Sequence, residues 1–221
     1  MSEGYFVTGT DTGVGKTVVA CGLLRAFANQ GKSAIGMKPV AAGCAEDGYD
    51  DVKQLLAASN TEAPRDLINP YALPLPVAPH IAAQFAGIDI DIGVIAEAYA
   101  QLEARSDIVI VEGVGGFKVP LNSHQDSADL ARRLALPVIL VVGMRLGCLN
   151  HALLTADSVR AHGLALAGWI ANRVDTAMPM FEQNVRALEE RLPCPRLATL
   201  AWQPDPQAPR TADALSLTLL A

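Results

Sequence analysis

The sequence predicts an α/β domain built on one doubly wound, mostly parallel sheet with helices on both faces. Three observations carry this. Short apolar runs rich in β-branched residues, such as Ile108-Val109-Ile110-Val111, are continuous rather than alternating, as in strands buried on both faces. These runs alternate with longer stretches of helical periodicity, the order that favours parallel strands joined by crossovers. A glycine-rich loop joins the first run to the first helical stretch.

The first strand is Tyr5-Phe6-Val7, ended by Gly9. Lys16 to Gln30 reads as a helix, with Val19, Leu23, Leu24 and Phe27 near helical spacing and Gly31 as a stop. Further strands are expected at Ala34–Met37, Asp107–Val111, Pro137–Val142 and Leu166–Ala171, with a short sixth at Leu197–Ala201. Helical patterns fall at Asp50–Ala58, Ile90–Arg105, Ser127–Leu134, Asn150–His162 and Pro179–Arg191. The stretch Asn69 to His80, with Pro64 just upstream, gathers five prolines and reads as an ordered surface excursion. Gln203 to Pro209 is similar. No linker divides the chain, so residues 1–221 are expected to form a single domain.

Composition narrows the function classes. Of 221 residues, 51% are hydrophobic and 18% charged, against a usual charged share of ~25%. That excludes disorder, which needs low hydrophobicity and high net charge. A formal net charge of -6 argues against a nucleic-acid partner. The most apolar run, Leu134 to Met144, contains Pro137 and is too short to span a bilayer, so no membrane partner is expected. Met1-Ser2-Glu3 lacks the basic segment that opens a secretory signal. Cys21, Cys44, Cys148 and Cys194 form no CxxC pair, which fits reduced thiols and a cytoplasmic location. The histidines (His80, His124 and His162 in loops or near a helix end, His151 beside a helix start) show no zinc spacing.

The strongest signal is Gly9-Thr10-Asp11-Thr12-Gly13-Val14-Gly15-Lys16-Thr17. It follows a strand and opens a helix, the context a phosphate-binding loop needs. Backbone N–H groups and the helix terminus can cradle phosphates. Lys16 can reach the β- and γ-phosphates, and Thr17 can offer its hydroxyl to Mg²⁺. The spacing departs from the standard motif, with Thr10 where glycine is usual and Gly9 before it. The ending is similar to that of partitioning ATPases, but their additional lysine, five residues before the loop lysine, is here Asp11.

In an open α/β sheet the ligand lies beyond the carboxyl ends of the strands. The second strand ends at Lys38-Pro39-Val40, so Lys38 can project over the phosphates. Asp50 or Asp51 can support Mg²⁺ or simply begin a helix. The third strand ends at Glu112-Gly113-Val114-Gly115-Gly116, an acid closing an apolar strand as metal-holding carboxylates do in nucleotide hydrolases. After the fifth strand, Asn172 can pair with a base edge. Trp202 can pack or wall a base pocket.

Taken together, Tyr5–Thr12, Val14–Thr17, Lys38-Pro39-Val40, Asn69-Pro70-Tyr71, Pro79-His80, Val111-Glu112-Gly113, Gly115-Gly116, Leu146–His151, Gly168-Trp169 and Ala171-Asn172 resemble the dethiobiotin synthetase family within the P-loop NTPases. The resemblance runs to about residue 175. It implies a Mg²⁺- and ATP-dependent cyclo-ligase of biotin biosynthesis. Its substrates are 7,8-diaminononanoate, CO₂ and ATP. An amine becomes a carbamate, the carbamate takes the γ-phosphoryl group, and the second amine closes the ureido ring. The resemblance implies Lys16, Lys38 and Thr12 as catalytic residues, and Thr17, Asp51 and Glu112 as metal ligands. For the nucleotide it implies Gly13, Val14, Gly15, Lys16, Thr17, Val18, Asp51, Glu112, Gly113, Val114, Gly115, Asn172, Arg173, Ala201, Trp202 and Gln203. For the diamine it implies Lys38, Ala42, Gly147 and Asn150, in a homodimer with substrate near the interface. Three positions depart from the family: Gly13 stands where some members have glutamate, Ala42 where serine is frequent, and Arg173 where an acid sometimes follows the asparagine. A larger amide-forming ligase with a glutamine-hydrolysing domain does not fit 221 residues.

Overall fold

A computed structural model describes residues 3–43, 49–204 and 208–220. The elements run β1 (Glu3–Gly9), α1 (Lys16–Asn29), β2 (Ala34–Met37), β3 (Val40–Ala42), α2 (Asp50–Ala58), α3 (Arg65–Ile68), β4 (Tyr71–Leu73), α4 (Pro79–Ala86), α5 (Ile92–Glu103), β5 (Ile108–Glu112), α6 (Ser127–Leu134), β6 (Val138–Met144), α7 (Cys148–Ala161), β7 (Leu166–Arg173), α8 (Phe181–Glu189), β8 (Arg196–Leu200) and α9 (Ala208–Ala214). Among the described residues, six strands form one sheet in the order β2-β5-β1-β6-β7-β8, and every pairing in it is parallel. The expected doubly wound sheet is therefore present.

The continuous apolar runs have a direct cause. Alternate residues of each strand enter opposite cores. Tyr5 and Val7 of β1, Ile108 and Ile110 of β5, and Ile139 and Val141 of β6 pack with Val19, Leu23 and Leu24 of α1. Phe6, Val109 and Val111 pack with Ile95 and Leu102 of α5 and Leu130 of α6. Leu140, Val142 and Met144 meet α7 and α8 around the fully buried Trp169. Both faces exclude water, so both sets of side chains are apolar.

Helix starts follow local chemistry. Asp126 caps α6 in a reciprocal box: its carboxylate accepts from Ala128 N at 2.8 Å and Asp129 N at 3.1 Å, and Asp129 accepts from Asp126 N. Asp91 caps α5 by accepting from Gly93 N at 2.7 Å.

Several elements differ from the sequence expectation. β6 and β7 run on to Met144 and Arg173, so Asn172 and Arg173 lie inside β7, paired with Gly143 and Met144 of β6. α7 begins at Cys148, so Asn150 lies within a helix and His151 follows it there. The proline-rich stretch is only partly a surface excursion. Its start pairs with the residues after β2, forming a second parallel sheet of β3 and β4, with Leu73 fully buried. Pro39 explains this departure, because it has no N–H to continue the ladder with β5. His80 lies in α4 rather than a loop. Residues 44–48, Cys44 among them, lie outside the described residues, and so does part of Gln203–Pro209.

Candidate active site

The strand order reverses around β1, which has β5 on one side and β6 on the other. A crevice at that point, beyond the carboxyl ends, is where such sheets take ligands. The loop Thr10–Gly15 fills its floor. Gly15 is the N-cap of α1 with φ 91°, and a Cβ there would lie 2.3 Å from the Asn172 amide nitrogen. Glycine is required on both counts. Gly9 takes over the close-approach role expected of the next position. A Cβ on it would meet Val14 Cγ2 at 2.5 Å, and this frees Thr10 to accept a hydrogen bond from Gly143 N at 3.2 Å. That bond ties the loop to β6.

Lys16 folds back over the loop and donates to the Asp11 carbonyl at 3.0 Å. Burial, aided by the nearby Lys38 charge, pushes its ammonium down to about 8. Incoming phosphate oxygens would reverse that shift by supplying opposite charge.

Beside it stands a compact polar cluster. Thr17 Oγ1 lies 3.0 Å from Asp51 Oδ1 and 2.9 Å from Glu112 Oε1. Its single proton can serve only one of them at a time. Lys38 Nζ lies 2.6 Å from Glu112 Oε1 and 3.2 Å from Asp51 Oδ2, and it also donates to the Gly113 carbonyl at 3.2 Å. Lys38 is 4% exposed and Glu112 1%. Burial works to lower the Lys38 pKa, but Glu112 and Asp51 outweigh it and hold the ammonium above its ordinary range. In the same way burial works to raise Asp51, but Lys38 and the Thr17 hydroxyl hold its carboxyl below the usual range.

The cluster fits Mg²⁺. The donors of Thr17, Asp51 and Glu112 are all oxygens, the hard ligands this ion takes, and two carboxylates with a hydroxyl leave room for phosphate oxygens. Among the described residues Glu112 Oε2 is buried with no hydrogen-bond partner, a costly condition that a cation would relieve. Of the Asp50/Asp51 pair, Asp51 is the one that enters the cluster.

A cleft of about 260 Å³ adjoins the loop, lined by Gly13, Gly15, Val18, Asn172, Arg173, Val174, Leu200, Ala201, Trp202 and Gln203. Residues expected to hold a base thus share one cavity wall. Asn172 donates its amide N–H to Val14 O at 2.8 Å, which directs its carbonyl oxygen away from the loop. Arg173 lies with its guanidinium 4.8 Å from the Phe181 ring centroid and donates to Thr176 O at 3.3 Å. Trp202 is 49% exposed, so it is a wall rather than core packing.

Other expected positions are less convergent. Gly113 packs on β1, donating to Val7 O at 2.9 Å, and Gly115 brings the turn near Thr12. Thr12 is exposed, its N–H bonded to the Asp11 carboxylate at 2.7 Å. Ala42 closes β3 and is half-buried. Gly147 and Asn150 are exposed at the start of α7 and do not line the cleft. Their segment meets the loop through Arg145, whose guanidinium lies 2.6 Å from the Asp11 carboxylate. Asp11, standing where partitioning ATPases carry lysine, is thus engaged with its own chain.

Sequence reasoning gave Asn69 no chemical task. It is buried and its amide donates to the Lys38 carbonyl at 2.7 Å and the Tyr71 carbonyl at 3.2 Å. The signal in the sequence is slight, an asparagine directly before Pro70.

Comparison with known proteins agrees with this arrangement. A family model described as an AAA domain matches residues 3–210. The ATP-dependent dethiobiotin synthetase BioD of Nitrosospira multiformis is 61% identical over 202 residues, covering 91% of this chain and 89% of that protein. The protein of the same name from Xanthomonas oryzae is 48% identical over 217 residues, covering 96% and 97%. Among solved structures, the septum site-determining protein MinD from Pyrococcus horikoshii, complexed with Mg-ADP, aligns with a TM-score of 0.60 at 16% identity, covering 100% of this chain and 89% of that one. That likeness shows the shared P-loop NTPase fold. On sequence and fold together, the chain belongs to the ATP-dependent dethiobiotin synthetase family.

Proposed function

We propose that this protein is an ATP- and Mg²⁺-dependent ligase that closes the ureido ring of dethiobiotin from 7,8-diaminononanoate and CO₂. The observation that carries the reading is a second buried lysine, Lys38, set beside the phosphate loop against Glu112 and Asp51. A simple nucleotide hydrolase has little need of it. A ligase that brings a carbamate up to a triphosphate must offset the repulsion between two anions, and two lysines with a metal do so.

Carboxylation of one amine by CO₂ releases a proton and leaves a carbamate. A carbamate oxygen attacks the γ-phosphorus and ADP departs. The second amine then attacks the carbonyl carbon and expels phosphate, closing the ring. Lys16 and the loop N–H groups hold the phosphates, with the exposed Thr12 hydroxyl beside them. Lys38 orients the carbamate and stabilises charge gathering on the transferred oxygens. Thr17, Asp51 and Glu112 would hold Mg²⁺, which neutralises phosphate charge when bound. Asn172, Arg173 and Ala201 to Gln203 take the base. Gly147 and Asn150, exposed on one protomer, reach the diamine of a neighbour in a homodimer, and Ala42 borders the substrate. The chain works as one domain, in the cytoplasm. No helix among the described residues is long and apolar enough to cross a membrane.

The test is an assay of ADP release with and without the diamine and bicarbonate, with mass analysis of the product. Diamine-dependent ADP release with a ring product is expected. ADP release indifferent to the diamine, with no ring product, overturns the reading.

A further inference from the structure

Lys38 is held at both ends. Its ammonium is gripped by Glu112 and Asp51, yet those carboxylates are the groups a metal would engage. Once they turn to a cation, the side-chain anchors of Lys38 weaken, and its position depends on its backbone. That backbone sits where β2 ends. Lys38 N donates to Ile68 O at 2.8 Å. Its carbonyl points the same way, off the open edge of the sheet, because β2 is the edge strand and Ala34 and Gly36 likewise face outward, toward Asn60 and Ser59, so no strand partner meets it there.

The Asn69 side chain fills that vacancy. One amide hydrogen goes to Lys38 O at 2.7 Å and the other to Tyr71 O at 3.2 Å. With two carbonyls facing it, only the nitrogen can point there. Tyr71 N in turn donates to Pro39 O at 3.1 Å, so the Ile68–Tyr71 segment zips along Lys38-Pro39. Asn69 is 6% exposed and its bonds are sheltered from competing water.

We propose that Asn69 is a positioning residue for Lys38: its side-chain amide fixes the Lys38 carbonyl and so aims the ammonium at the reacting anions when the carboxylates are engaged elsewhere. This rests on the ligase reading above. Asn69 touches no reacting atom, and its removal should act on turnover and leave nucleotide binding alone.

The experiment compares wild type with Asn69→Ala, and with Asn69→Ser should the alanine variant fail to fold. Four quantities are read on the Mg²⁺-supplied enzyme: kcat, KM for ATP, ADP affinity by calorimetry, and the rate at which a lysine-selective acylating reagent labels Lys38, with Lys16 as internal reference. A small misplacement of a catalytic group costs up to about 100-fold. The expected result is therefore a kcat loss of about 10- to 100-fold, with KM for ATP and ADP affinity within about twofold and a raised Lys38-to-Lys16 labelling ratio. Unaltered kcat and labelling overturn the proposal. So does a parallel fall in kcat and ADP affinity, which marks general loosening of the site. If wild type itself makes no ring product, the ligase reading fails on its own, and the labelling ratio alone decides whether Asn69 positions Lys38.

Discussion

The ammonium of Lys38 and the carboxylate of Glu112 lie 2.6 Å apart, both side chains closed to water. Removing the Lys38 charge leaves the Glu112 carboxylate buried without its cation, whereas Lys38 also pairs with Asp51. Breaking such a buried pair by deleting one partner costs about 3–5 kcal/mol. Lys38→Met is therefore expected to abolish ring formation and to lower the melting temperature, while the chain still folds. Added Mg²⁺ should restore more stability to this variant than to wild type, since the stranded carboxylates regain a cation. Calorimetric melts with and without Mg²⁺ check this; equal Mg²⁺ responses in the two proteins would refute it.

Thr17 separates chemistry from shape. Its hydroxyl sits between Asp51 and Glu112, whereas its methyl only packs. Thr17→Ser keeps the oxygen and should retain most activity. Thr17→Val keeps the volume but removes the oxygen. Half-maximal turnover should then need far more Mg²⁺, read from activity against Mg²⁺ concentration.

Gly15 tests the close approach of the loop to β7. A side chain there carries φ 91°, at a cost of about 1–2 kcal/mol for an L-residue, and strikes Asn172 besides. Gly15→Ala should weaken ADP binding by about tenfold or more, since ~1.4 kcal/mol is a factor of ten. Titration calorimetry measures it.

The two tryptophans report on different places. Trp169 is fully buried and Trp202 is half exposed on the cleft wall. ADP should change the intrinsic fluorescence of wild type and of Trp169→Phe, but not of Trp202→Phe. A nucleotide response that survives Trp202→Phe would put the base elsewhere.

Asp126 carries the pH dependence of a structural element. Burial works to raise its pKa, but the Lys118 ammonium and the backbone N–H groups of α6 outweigh that and hold it below the usual carboxylate range. A depressed folded-state value means stability that is present above the unfolded pKa of ~3.9 and lost as pH falls through the folded value. Asp126→Ala should cost about 1 kcal/mol near neutrality, and the gap to wild type should close in acid. Denaturant melts across pH measure that gap.

Much of this was legible along the chain. The strand runs, the phosphate loop and the acid closing β5 are local signals: burial on both sheet faces dictates continuous apolar sequence, and a loop that must cradle phosphate dictates glycine and lysine at set spacing. β6 and β7 run beyond their apolar cores because a strand extends as far as its neighbours offer partners, and Gly143 and Met144 supply them for Asn172 and Arg173. β3 and β4, with three residues each, have too little pattern to read. They exist because Pro39 turns one segment toward the other.

The sequence by itself determined the fold class, the phosphate loop and which chemical groups stand at the strand ends, because each follows from residue type and near-neighbour spacing. Only the tertiary structure decided which of those groups meet. Lys38 and Glu112 are remote in sequence and meet because the parallel strands β2 and β5 end at the same height, and Asp51 joins them from the first turn of α2. The choice between Asp50 and Asp51, the exposure of Trp202 and the role of Asn69 depend on long-range packing. No periodicity along the chain encodes which strand becomes the sheet edge and which of its carbonyls a distant side chain must meet.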